Sequence, residues 1–161
     1  MSDKTVTISG RSYTIKKMTP QAACLIRGQL VGASFKFARG SQSDVESQTP
    51  RASITAENVA QRAEEAVEGM WSIVPASLPK EMCEQIQRDA LRCCYYVMSE
   101  ATPNVQSPVL MADGRFADTA LAEDAASVDE LIIESLKFSV GPLFIKGMLK
   151  AAMEASPKTI N

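Results

Sequence analysis

The 161-residue chain contains no histidine. That absence removes the side chain that most often serves as general base, as activator of a serine or cysteine nucleophile, and as nitrogen ligand to zinc. The chain also lacks a phosphate-binding glycine loop, a dinucleotide fingerprint and a nucleophile elbow. It has no basic patch: Lys and Arg are scattered in ones and twos, the net charge is −2, and Lys16-Lys17 with Arg11 nearby reads as a solvated strand end. Nucleic acid is therefore not an expected partner. No apolar run approaches the roughly 20 residues that span a bilayer, and Asp3-Lys4 stands where a leader would be apolar, so neither a membrane nor a signal peptide is expected. Cys24, Cys83, Cys93 and Cys94 follow no C-x-x-C spacing; without histidine, zinc would need sulfur or carboxylate ligands alone. They are expected to be small apolar helix-face residues in a reducing cytosol.

What is present is the material of one globular domain spanning 1–161, with 45% hydrophobic and 22% charged residues. Val6 and Ile8 alternate with Thr and Ser, and Tyr13 and Ile15 do so after Ser9-Gly10-Arg11, which predicts a β-hairpin. Thr19-Pro20 supplies an N-cap and a proline at the first helical position. A first helix is expected from Pro20 to about Phe37, with Ala22, Ile26, Leu30, Ala33 and Phe37 on one face and Leu25 beside them. Gly28 and Gly32, four residues apart, cost helix propensity. Two explanations stand: close approach of another helix, or chance and crowding.

The stretch from Arg39 to Ser53 has little to bury and predicts a mobile loop at about 39–54. A second helix is expected from near Thr55, with Val59, Ala63, Val67, Met70 and Val74 inward and Trp71 beside them. Pro75 and Pro79 should bracket a break. A third helix follows, with Met82, Cys83, Ile86, Ala90, Cys93, Cys94 and Val97 on its face. Ala101 to Pro108 reads as a linker. Val109 to Phe116, around Asp113-Gly114, is a candidate second short hairpin, and 117–126 is ambiguous. Ser127-x-x-Glu130 reads as a capping box before a long apolar segment, which Gly141-Pro142 should bend or split. The expected fold is thus mainly α, with about four to five helices and a small N-terminal β-hairpin.

Three constellations are candidates for function. Glu64, Glu65 and Glu68 read as a solvated acidic face. Asp113-Gly114-Arg115 with Asp118 lacks the alternating oxygen ligands and closing glutamate of a calcium loop. The third is the segment from Leu131 to Met153: beyond Pro142 its apolar face, with Phe144, Met148 and Met153, is wider than core packing requires, and suits either core or partner binding. An enzyme has no residues to name.

The order V-x-I-x-G-x-x-Y-x-I from Val6 to Ile15, a few polar residues and a long helix resembles the start of tail assembly chaperones of long-tailed bacteriophages. So does the later order of Val109 to Phe116 around Asp113-Gly114, a short acidic stretch, and the apolar segment from Val128 to Phe144. The resemblance implies a protein of the infected bacterial cytoplasm, absent from the mature virion. Such a protein coats the tape measure protein, keeps it soluble and helps tail tube protein polymerise around it. It implies no cofactor, nucleotide or metal. Many copies would cover one partner by avidity, and a second copy of the chain is a further candidate partner. Leu25, Leu30, Leu143, Phe144 and Met148 are the expected partner or self-association surface. The alternatives are a small structural tail or connector protein retained in the virion, and a small regulator of a host factor.

Overall fold

A computed structural model describes residues 3–40, 58–98 and 105–155, with side chains at 37–40 and 151–155 excepted. The N-terminal hairpin joins β1 (Lys4–Ile8) to β2 (Arg11–Ile15) through Ser9 and Gly10. Both turn residues have positive φ, 52° and 79°, as a type I′ turn requires, and this twist matches that of the flanking strands. Glycine takes such a φ without steric cost; Ser9 does not. The Ser9 hydroxyl is held 3.0 Å from that of Ser127.

Next is α1 (Pro20–Gly40). Thr19 caps it as expected: its hydroxyl accepts from the Ala22 amide at 3.2 Å and its carbonyl from the Ala23 amide at 3.0 Å. The expected loop at 39–54 lies, beyond Gly40, outside the described residues, as does the expected start of the second helix near Thr55. From Val59 to Ser77 runs α2. Val59, Ala63, Val67, Trp71 and Val74 are buried along it. Pro75 does not end this helix. It sits exposed in the last turn, where one missing amide costs little, and the Leu78 amide still reaches the Val74 carbonyl at 2.9 Å.

The sequence expectation fails most clearly after α3 (Lys80–Leu91). Cys94 and Val97 are not on its face; they belong to a strand, β3 (Cys94–Val97). Cys-Tyr-Tyr-Val is rich in aromatic and β-branched character, and β2 needs a neighbour. Tyr13 pairs with Tyr96, Thr14 with Tyr95 and Ile15 with Cys94, all antiparallel. A short β4 (Gln106–Pro108) pairs with β3, giving the order β1-β2-β3-β4. The candidate hairpin over 109–116 is present in reduced form, as a single antiparallel bridge between Leu110 and Phe116 around a turn with Gly114 at φ 87°.

One-turn α4 (Thr119–Ala122) precedes α5 (Ala125–Ser139) and α6 (Gly141–Ala155). The architecture is mainly α with an N-terminal hairpin, as expected, and Gly141-Pro142 divides the last segment in two; the one helix beyond the expected four to five among the described residues is α4, too short to show a period. The cap of α5 also differs. Asp124, not Ser127, is the N-cap, accepting from the Ser127 amide at 3.2 Å and hydroxyl at 2.7 Å. The pair is read in the reverse order from a Ser-x-x-Glu box because Ser127 is turned inward, against the hairpin tip.

The hub is α5. It packs on α2, α3, α6 and the hairpin, and its fully buried Leu131 and Leu136 join Ile15, Ile26, Leu30, Ile86 and Val109 in one core. Polar pins fix the neighbours. The Ser135 hydroxyl donates to the Ala90 carbonyl at 2.9 Å, the Met18 amide donates to the Ser139 hydroxyl at 2.9 Å, and Trp71 Nε1 donates to Asp129 at 2.9 Å. Each satisfies a group that would otherwise cost free energy on burial.

Candidate partner-binding surface

The expected surface residues fall into three environments. Leu30 is fully buried; it lies on the same face of α1 as Ile26 and Ala33, so it belongs to the core and offers nothing to a partner. Leu143 and Phe144 are half-buried and pack against the core from the first turn of α6. Met148, one turn further on, is also half-buried. The wide apolar face of α6 is thus largely consumed by packing on α2 and α5. Met153 lies beyond the described side chains. Leu25 alone of the five stands clear, 61% exposed.

Leu25 has a companion that the sequence reading passed over. Phe35 is 64% exposed, on the turn of α1 that follows Gly32. At 3.6 residues per turn, Leu25, Gly28, Gly32 and Phe35 form one strip running along the side of α1 opposite Ile26 and Leu30. The signal was available: a helix with apolar residues on its inner face has no packing use for a phenylalanine on its outer one. Lys36, exposed, stands at one margin of the strip, and Arg27, also exposed, lies farther round the helix. Cys24 is exposed beside it, and all four cysteines are free.

The remaining cysteines behave as apolar fillers. The Cys93 thiol donates to the Asp89 carbonyl and the Cys94 thiol to the Ala90 carbonyl, each at 3.5 Å. Burial pushes the Cys93 thiol up to about 11 and the Cys94 thiol up to about 12, which keeps both protonated and poorly nucleophilic near neutrality.

An open cleft of about 530 Å³ lies between α3, the Gly114 turn and the start of α5. Glu84, Arg88 and Asp129 give it charge, and Leu91, Phe116 and Ile132 give it apolar wall. Among the described residues its lining holds no Ser, Cys or Lys to act as nucleophile, and no group of three or more His, Cys, Asp or Glu gathers anywhere to hold a metal. The acidic residues Glu64, Glu65 and Glu68 are exposed along α2, Glu65 beside Arg62 at 3.7 Å and Glu68 beside Lys137 of α5 at 3.5 Å. Asp113 and Asp118 are each engaged by an arginine, Asp113 by Arg115 at 2.8 Å and Asp118 by Arg11. The Arg11 hydrogen bond, and then the Ala120 amide, hold the Asp118 carboxyl below the usual carboxylate range. Asp118 also caps α4 through that amide, at 2.9 Å, so this carboxylate ties the hairpin to α4.

Among the described helices none is long and apolar enough to cross a membrane. No family model, no curated protein and no solved structure matches the chain.

Proposed function

We propose that the chain is a tail assembly chaperone of the long-tailed bacteriophage type, which binds the tape measure protein, keeps it soluble and promotes tail tube assembly around it. The observation that carries this reading is the outer face of α1. Two large apolar side chains, Leu25 and Phe35, are held in water on a long helix whose inner face is already packed. That exposed area is what a protein covering another's hydrophobic helix would use.

The mechanism is coverage. A long partner with repeating apolar stretches aggregates unless they are buried, and several copies each burying one stretch hold it through summed weak contacts. No cofactor, nucleotide or metal takes part, and the site of action is the cytoplasm of the infected cell. Tail tube protein and further copies of the chain are the other partners in this scheme.

Co-expression with the tape measure protein of the same genome tests it. A soluble, affinity-captured complex containing several copies per partner is the expected result. An insoluble tape measure beside a folded, uncomplexed chain would refute the reading, and recovery of the chain from purified virions would make it a tail component instead.

A further inference from the structure

The sheet ends on one side in β1, and that side is open. Pairing runs β1-β2-β3-β4, and the two-residue turn makes Ile8 and Arg11 a hydrogen-bonded pair. Bonded and non-bonded pairs alternate from there, so Lys4, Val6 and Ile8 direct their backbone groups to Ile15, Tyr13 and Arg11. The Lys16 amide agrees with this phase: it points the other way, to the Cys93 carbonyl at 2.8 Å. The amides and carbonyls of Thr5 and Thr7 therefore point away from β2. Among the described residues none of these groups has a partner, and both threonine side chains are exposed.

Such an edge is a template for another strand, and proteins that stay monomeric block it with a proline, a bulge or an outward charge. The strand β1 carries none of these. Its pairs with β2 run unbroken from Lys4 to Ile8, and its exposed face presents two threonines. Its one cation, Lys4, turns to the helix face, where Glu134 of the same chain neutralises it at 2.8 Å. Val6 on that face is only half-buried, so apolar area remains for a neighbour.

Complementarity selects the occupant. Laid antiparallel on a second copy about a two-fold axis through Val6, β1 sets Thr5 opposite Thr7 of the second copy, Val6 opposite Val6 and Lys4 opposite Ile8. The two threonine pairs close both free backbone groups of each residue, and facing threonine and β-branched pairs stabilise adjacent strands. The two Lys4 residues then lie roughly 14 Å apart along the paired strands. Moving the axis to Thr5 would bring them onto a diagonal within about 8 Å. Moving it to Thr7 would set Thr5 against Ser9, which the positive φ of the turn takes out of the strand. With the axis perpendicular to the sheet, both helix layers stay on one side and both exposed faces on the other.

We propose that β1 is a self-association edge: two copies of the chain join antiparallel through β1, centred on Val6, so that their two four-stranded sheets become one. The chaperone reading counts further copies among its partners but gives them no surface. This surface follows from the backbone of the chain alone and needs no tape measure protein.

Sedimentation of the full chain is the readout, with amide hydrogen exchange beside it. A reversible dimer with Kd on the order of 10–100 μM is expected, the weak end for a small contact. In dilute protein the Thr5 and Thr7 amides should exchange fast beside protected Val6 and Ile8, and should become protected as the dimer forms. Thr7→Pro removes an outward amide and breaks no bond to β2, so the helical circular dichroism should hold while the dimer weakens about tenfold or more. Charge supplies a second test. Thr5→Lys with Thr7→Lys sets like charges opposite each other in both pairs and should abolish the dimer. Thr5→Lys with Thr7→Glu sets opposite charges face to face and should restore it, the more so at low salt.

A chain that stays monomeric well above that concentration range would overturn the proposal. So would a dimer indifferent to Thr7→Pro, or one that both charge variants form equally, since its contact would lie elsewhere. Protection of the Thr5 and Thr7 amides only when the tape measure protein is bound would give the edge to that partner and refute the second copy. The chaperone reading fails separately. A wild type that dimerises but captures no tape measure protein leaves the edge standing and refutes that function, whereas capture by a chain that never dimerises does the reverse.

Discussion

Helices α1 and α6 both carry apolar side chains on more than one face, yet they spend them differently. In α6 the first-turn residues Leu143 and Phe144 lean on the core, and the helix packs against α2 and α5. In α1 the inner residues are fully packed and the outer ones, Leu25 and Phe35, remain in water. Apolar content alone does not mark a binding surface. What marks it is apolar area left over once the neighbours of a helix have been served.

The sharpest break in this comparison lies within α1. Leu30→Ala should cost about 2–5 kcal/mol of stability in urea unfolding, since it opens a cavity in a packed core, whereas Leu25→Ala should stay within about 0.5 kcal/mol. A large cost at Leu25 would erase the distinction between the two faces. Next in size, Phe144→Ala should cost about 1–3 kcal/mol, because a half-buried aromatic loses only part of its contacts. If Phe144→Ala and Met148→Ala leave stability untouched and both abolish partner capture, α6 and not α1 is the working surface.

A smaller effect concerns the cysteines. Because Cys93 and Cys94 ionise in the unfolded chain near pH 8.5 but in the folded chain only near 11 and 12, their contribution is complete below about pH 8.5. It is lost as pH rises toward those folded values. Tyr13 and Tyr96, raised by desolvation, act in the same direction at higher pH. The urea midpoint should therefore fall from pH 8 to pH 10, and Cys93→Ala with Cys94→Ala should flatten that fall. A flat profile in the wild type would show the thiols to be accessible, with no contrast to Cys24. Smallest is Tyr96→Phe. The Tyr96 hydroxyl is buried with no hydrogen-bond partner among the described residues, so its removal should leave stability unchanged or raise it by up to about 1 kcal/mol; a clear loss would reveal a partner for that hydroxyl.

The hairpin, the Thr19 cap and the inner face of α1 were legible in the sequence because each is decided within a few residues. A two-residue turn, a hydroxyl before proline and a 3.6-residue period need no distant neighbour. The strand at Cys94–Val97 was not legible, because its helix-like spacing from Ile86 and Ala90 competes with a strand preference that wins only when β2 is alongside. Ser127 misled for a similar reason: its hydroxyl serves Asp124 and faces Ser9, a residue far away in sequence. At the candidate site Leu25 was visible and Phe35 was passed over, since attention fell on the face that packs. Leu30 was assigned outward although its three- and four-residue spacing to Ile26 and Ala33 already placed it inward.

The antiparallel pairing of β2 with β3 also sets an order of events during synthesis. The two strands are separated by all of α1, α2 and α3, so the hairpin leaves the ribosome with one long edge open and stays so until Val97 has been made. Closing that edge requires a large non-local loop to form first, which slows folding relative to a bundle of sequential helices. During that interval the inner face of α1, Ile26, Leu30 and Ala33, stays open along with Leu25 and Phe35, and only completion of the sheet and core separates a covered face from an exposed one.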